Sequence, residues 1–528
     1  MPEAQIIIPG FHPDPSICRR GGDYYIANSS FGYFPGVPIH HSRDLVTWRL
    51  IGYALRRPAQ LPLAGATATW GGIYAPTLRY HANTFWLITT NVTHGGHFIT
   101  TADDPAGPWS DPVWIDSAHQ GGIDPDLFWD DDGSCWVSCT RNDRNPAEPQ
   151  HGIWQFRVDP ASGCGTGARH FAWGGTGGKS PEGPHLFKRH GVYYLLAAEG
   201  GTEYGHMVTL ARGPSVQGPW EACPHNPILT HRSIGASIQS LGHADWLEDA
   251  DGNWWIVFLG VRPVGYPLAH HLGRETCMAP MTWGADGWPV VNHGQPIRLA
   301  KAPASPPPLR LTFETGGDLW HDWCCLRDPA GVRYSLAARP GWLRLHGRTL
   351  GLDAGRPAPE KMAMPPWECT EPMAELHGPV SWLGVRQRHF DVRCAVVLDY
   401  HPDKPGEEAG LAVFMSERCH YALAIRHHDG QRVAALVKRV LDMESSMVSA
   451  PLAAGPVALE ISATHYVYSF ACTDARGCRH DLGTGLTRLL STEVAGGFAG
   501  VFFALYACDP SDGAGAPADF ADFVYEVM

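Results

Sequence analysis

Hydrophobic and polar positions alternate in short runs along most of the chain, and no helical period of useful length appears. Five segments share one pattern: "DPSICRRGGDYYIANSS" from Asp14, "APTLRYHANTFWLITTN" from Ala75, "DPDLFWDDDGSCWVSCT" from Asp124, "EGPHLFKRHGVYYLLAAE" from Glu182 and "HADWLEDADGNWWIVFLG" from His243. Each opens on a small or polar step, often with proline. An alternating run and a polar turn with Gly or Asn follow, then a strand led by an aromatic. That is the pattern of a β-hairpin. It recurs roughly every fifty to sixty residues, a spacing in the range of propeller blades. Five copies predict a five-bladed β-propeller.

The repeat stops near residue 300, where "KAPASPPPLRL" reads as a Pro-rich linker. Beyond it, "GWLRLHGRTLGL", "FDVRCAVVLDY", "GLAVFMSERCHYALAI", "VALEISATHYVYSFAC" and "GVFFALYACD" alternate with Gly- and Asp-rich turns. These runs predict a β-sandwich. The chain is therefore all-β, with a propeller over 1–302, a linker over 303–309 and a sandwich over 310–528.

Composition narrows the function. A chain of 528 residues is too long for one ordinary domain. The net charge of −13 argues against a nucleic-acid partner and leaves no basic membrane patch. No apolar run is long enough to span a bilayer. Fourteen Cys without a CxxC pair suggest buried thiols in a reduced compartment. The start "MPEAQIIIPG" lacks a basic, apolar leader, so a cytoplasmic location is expected.

Equivalent positions in a propeller converge on one axis, so Asp14, Asp124, Glu182 and His243 should share one central pocket. A tight turn explains any one of these carboxylates, but not three in equivalent places. Three acids beside aromatic rings suit glycoside hydrolysis, which needs one protonated acid for the leaving oxygen and one carboxylate as base or nucleophile. A third carboxylate would raise the acid's pKa by like-charge repulsion.

The residues also resemble a known family. "PGFHPDPSICRRGGDYYIANSSFGYFPGVPIHHSRDLVTW", "GGIDPDLFWDDDG", "PEGPHLFKRHGVYYLLAAEGGT" and "GRETCMAPMTWGADGWPVV" are similar, in that order, to glycoside hydrolase family 43 enzymes of the β-xylosidase and α-L-arabinofuranosidase group. "WLGVRQRHFD" and "EEAGLAVFMSERCHYALAI" resemble that group's sandwich domain, which is concanavalin A-like. The resemblance implies Asp14 as general base, Glu182 as general acid and Asp124 as the carboxylate that tunes and orients the acid. Inversion follows, with the two working carboxyls roughly 6.5–9.5 Å apart. It further implies Phe31, Tyr74, Ala75, Thr209 and Arg274 around the sugar, with Arg274 also within reach of Asp124. Phe498, from the sandwich, would close the pocket mouth. Tyr74 stands where many relatives have Trp, which makes the wall smaller and adds a hydroxyl. His243 matches a histidine that in some relatives holds a water-rich divalent ion such as calcium in the channel; a satisfied core histidine is the alternative. No cofactor is required by this reading.

The expected activity is exo-acting release of D-xylose from the non-reducing end of β-1,4-xylo-oligosaccharides. α-L-Arabinofuranosidase is the alternative or second activity, and a non-catalytic carbohydrate-binding propeller is the rival of another class. The partners expected are xylo-oligosaccharide or arabinoxylan fragments, and the resemblance allows a homo-oligomer. "WDDDGSCW" lacks the ligand spacing of a calcium loop and reads as a hairpin turn. "GGTGGKS" lacks the setting of a phosphate-binding loop and reads as a flexible loop.

Overall fold

A computed structural model describes residues 4–142, 151–299, 308–314, 316–353 and 378–528. Most of the linker expected at 303–309 lies outside the described residues. The first strand of each hairpin repeat is the inner strand of a blade: Ser16–Arg20, Thr77–His81, Ile123–Trp129, Glu182–Arg189 and Gln239–Glu248. Each inner strand packs on the next, and the fifth packs on the first, so five sheets form a ring. The aromatic-led strands come second. Their rings at Tyr25, Phe85, Trp136, Tyr194 and Trp254 are buried between or within blades, where large apolar area stabilises most.

Blade 5 is completed from the other end of the chain. Gln5–Ile8 pairs antiparallel with Glu275–Trp283, matching Gln5 to Met278 and Ile6 to Cys277. This pairing closes the ring and covers an otherwise open edge. The turns explain the punctuation. Ala82 and Asn83 at φ +49° and +63°, and His190 and Gly191 at +51° and +79°, have the two left-handed residues that a tight hairpin needs. "WDDDGSCW" is a longer hairpin loop, residues 130–134, with the single left-handed residue Gly133 at φ +81°, between Ile123–Trp129 and Cys135–Asn142.

The axis is plugged by one residue from each blade. Arg79 donates to Asp245 and to Asp126, both at 2.7 Å, and lies 2.9 Å from the His185 ring. The Ser16 hydroxyl donates to Asp245 at 2.8 Å. A buried ion cluster this complete satisfies every charge that burial would otherwise penalise.

The sandwich has an eight-stranded and a six-stranded sheet. Its strand Val392–Asp399 is buried at every second residue, the period expected of a one-sided strand. The two halves share structure. Cys325–Leu326 pairs with Tyr33–Phe34 of the propeller, and Arg386 Nε donates to the Phe11 carbonyl at 2.9 Å. Tyr33 stacks on Phe502 with ring centroids 4.5 Å apart. Buried Glu417 of the sandwich accepts from the Ala68 N–H and from Arg327, both at 2.9 Å. Thirteen cysteines are free among the described residues, most of them buried.

Candidate active site

The pocket floor is built from kinked strand starts. Asp14, Asp124 and His243 have φ of +53°, +56° and +48°, and Gly183, next to Glu182, has +56°. Pairing register shifts at the same places in blades 3, 4 and 5. A left-handed residue in a bulge turns its side chain out of the pleat, here toward the axis. Each non-glycine case costs on the order of 1–3 kcal/mol, a strain tolerated chiefly at functional sites.

Asp14 is buried and well held. Its Oδ1 accepts from Arg274 Nη1 at 2.8 Å, and its Oδ2 accepts from the Ser29 hydroxyl. His243 Nδ1 stands 3.6 Å from Oδ1. Burial opposes the charge, but Arg274, His243 and Ser29 outweigh it and hold the carboxyl below its ordinary range. Glu182, only half-buried, is pushed up to about 7, first by burial and then by the Asp14 charge. Asp124 is pushed well above the carboxylate range by burial, then by Glu182 and Asp14. The three acids cannot all be charged on one dry floor, and Asp14 is the one that stays ionised. The like charge that lifts Glu182 is therefore Asp14; Glu182 in turn lifts Asp124.

Several of the expected residues lie together. Phe31 is buried, with its ring 5.0 Å from Tyr74 and 5.7 Å from Phe498. Phe498 reaches over from the sandwich: its N–H donates to the Thr69 carbonyl at 3.1 Å and its ring lies 4.7 Å from Trp70. The Arg274 guanidinium lies over Phe31 and Phe498 at 5.5 and 5.3 Å, a cation–π sandwich. Ala75 is buried at the start of blade 2.

Other expectations need correction. Arg274 pairs with Asp14, not Asp124, because blades 5 and 1 are neighbours in the ring. The Tyr74 hydroxyl donates its proton to the Trp70 carbonyl at 2.8 Å, which leaves its oxygen free only to accept. Thr209 is fully buried and its hydroxyl donates to Glu199 at 2.7 Å, which puts it behind the pocket wall. "GGTGGKS" is pinned by that same Glu199.

The sequence reading missed Thr202, whose hydroxyl lies 3.3 Å from Arg274 Nη1, and also Ser29 and Trp70. Thr202 stands in "EGGTEYG" and Trp70 in "TATWGGIY", glycine-rich loops whose partners no spacing rule reveals.

Burial lowers His243 to about 4 and His206 to about 3, so both are neutral at ordinary pH. Among the described residues, no group of three or more His, Cys, Asp or Glu side chains could hold a metal ion. An ion at His243 would have one imidazole donor and water for the rest.

A carboxyl raised to about 7 beside a carboxylate held low, next to aromatic rings from both domains, is an arrangement that fits glycoside hydrolysis. Comparison with known proteins agrees. Residues 4–289 match the glycosyl hydrolases family 43, and residues 310–526 match the β-xylosidase C-terminal concanavalin A-like domain. The chain belongs to glycosyl hydrolase family 43. It is 39% identical to a non-reducing end α-L-arabinofuranosidase of Bacteroides ovatus, over 99% of this chain and 94% of that one. It is 30% identical to a β-xylosidase of Bacillus subtilis, over 98% of each. The solved structure of a xylan β-1,4-xylosidase from Bacillus halodurans superposes with a TM-score of 0.88 at 33% identity, covering 99% of this chain and 100% of that one.

Proposed function

We propose that the protein is an exo-acting, inverting pentosidase that removes a terminal sugar from xylan-derived oligosaccharides. The observation that carries the reading is the contrast between two carboxyls in one pocket. Asp14 is held ionised by Arg274 and Ser29, while Glu182 is raised to about 7. Divergent carboxyl environments assign base and acid. Glu182 gives its proton to the leaving oxygen as the glycosidic bond breaks. Asp14 has lone pairs left after its two hydrogen bonds, and takes a proton from the water that attacks the opposite face of the sugar. Asp124, whose carboxyl the Glu182 charge helps to lift, is assigned the part of orienting Glu182. His243 stands between the two sides: its Nδ1 faces Asp14, and its Nε2 lies 2.8 Å from where a Cβ on Gly183 would sit.

The contacts of Phe498 with Phe31 and Trp70 support a pocket capped by the sandwich, the shape that admits a chain end only. Its flat faces suit β-xylopyranose and α-arabinofuranose alike. The test is hydrolysis of aryl β-D-xylopyranoside and α-L-arabinofuranoside side by side, followed by NMR of the first-formed anomer. Turnover of either with inverted product, lost in Glu182→Ala, supports the reading. Retained configuration would overturn the mechanism. Internal xylan fragments appearing before free pentose would overturn the exo assignment.

A further inference from the structure

The loop that presents the general acid is built almost without secondary structure. Residues 174–181 read "GGTGGKSP" and lead directly into Glu182. Four glycines in eight residues give this loop a large conformational freedom to lose. An acid must nevertheless lie within hydrogen-bond reach of the leaving oxygen, and small displacements cost rate steeply. Something must fix the loop.

Glu199 does so. It ends the second strand of blade 4, Val192–Glu199, and is fully buried. Its Oε1 accepts from the Thr176 N–H at 2.8 Å and the Thr209 hydroxyl at 2.7 Å. Its Oε2 accepts from the Gly178 N–H at 2.8 Å. The Thr176 hydroxyl lies 3.2 Å from both oxygens. Neither oxygen forms an ion pair among the described residues, so the carboxylate is spent on the loop donors and on Thr209 of the neighbouring strand. The two glycines flanking this contact are required by it: a Cβ on Gly175 would sit 2.6 Å from the Glu199 carboxyl carbon, and one on Gly178 would sit 2.8 Å from Oε2.

The residues after Glu199 extend the clip to both sides of the pocket. The Gly200 N–H donates to the Lys179 carbonyl at 2.7 Å, which ties down the loop near its end. Two residues later Thr202 reaches Arg274, the partner of Asp14. One short segment therefore fastens the acid's loop and touches the base's arginine.

We infer that Glu199 is a positioning residue for the general acid: through Thr176 and Gly178 it sets where Glu182 meets the leaving oxygen. The inference rests on the reading of Glu182 given above. It differs from a merely structural role in one measurable way. Proton donation matters in proportion to how poor the leaving group is. A misplaced acid harms an alkyl glycoside and spares a dinitrophenyl glycoside, whereas general damage to the fold harms both.

The experiment compares Glu199→Ala with wild type on methyl and 2,4-dinitrophenyl glycosides of whichever pentose the wild type cleaves, with Glu182→Ala as reference. The expected result is a loss of about 10²-fold in kcat/KM on the alkyl glycoside, with less than about 3-fold on the dinitrophenyl glycoside, the selective pattern of a lost general acid. Equal losses on the two would overturn the inference. If Glu199→Ala does not fold, Thr176→Val decides: it removes only the hydroxyl contact. A loss confined to the alkyl glycoside supports the inference, and an equal loss or none overturns it. Failure of the underlying reading looks different, because Glu182→Ala would then show no leaving-group dependence.

Discussion

Glu182→Gln removes an ionisable group that the pocket resists charging, so it should make the protein more stable at alkaline pH while abolishing turnover. The carboxyl is raised from 4.5 to about 7. A raised carboxyl binds its proton more tightly folded than unfolded. Folding stability therefore falls as pH rises between those two values and stays low above about 7. At about 1.4 kcal/mol per unit, the full penalty is on the order of 3 kcal/mol. Glutamine carries no such penalty and keeps nearly the same shape. Against an unfolding entropy of about 2.1 cal/mol/K per residue, 3 kcal/mol corresponds to about 5 °C for a domain the size of the propeller. Relief of Asp124, which Glu182 also lifts, acts in the same direction. The assay is thermal unfolding of both proteins across pH 4.5 to 9. The difference should be near zero at the acid end, grow through pH 6 and level off above pH 8. A variant that tracks wild type at every pH, or is less stable at pH 8.5, would refute the electrostatic account of the acid.

Three further outcomes follow from the same geometry. The pH profile of kcat/KM should lose its alkaline limb near pH 7, where Glu182 gives up its proton, and keep activity on the acid side below the ordinary carboxylate range, because Asp14 is held down; initial rates in a constant-ionic-strength buffer series check both limbs. Arg274→Lys keeps the charge but not the fork that spans Asp14, Phe31 and Phe498, so kcat should fall by about 10²-fold or more and the acid limb should move up toward ordinary carboxylate values. Glu417→Gln removes the charge that accepts from Arg327 and from the Ala68 N–H and so weakens the tie to the loop carrying Trp70; about 1–3 kcal/mol of stability should go, with lower melting seen by calorimetry.

The blade repeat was legible because a hairpin is a local object. Turn residues and alternating runs lie within about fifteen residues of one another, and the periodicity then placed Asp14, Asp124, Glu182 and His243 at one level of the ring. The sandwich was legible for the same reason, from period-two strands such as Val392–Asp399. Thr202 and Thr209 show the limit. Both are threonines in one hairpin, seven residues apart, and only their neighbours in space distinguish the one beside Arg274 from the one behind the wall. Trp70 was hidden because it meets the site through Tyr74 and Phe498, the latter from the other domain. Glu199 was hidden in the acid motif itself, since nothing in "AAEGGT" says that its carboxyl turns back onto "GGTGGKS".

The amino-acid sequence by itself determined which carboxylates would converge, because equivalent positions in a closed repeat must meet at its axis. The tertiary structure decided what each carboxylate is. Asp14 keeps its charge because blade 5 brings Arg274 beside it, and Glu182 resists its own because burial and Asp14 oppose it. Charge states depend on distance and burial, which fall off over a few ångströms in space and have no counterpart in separation along the chain.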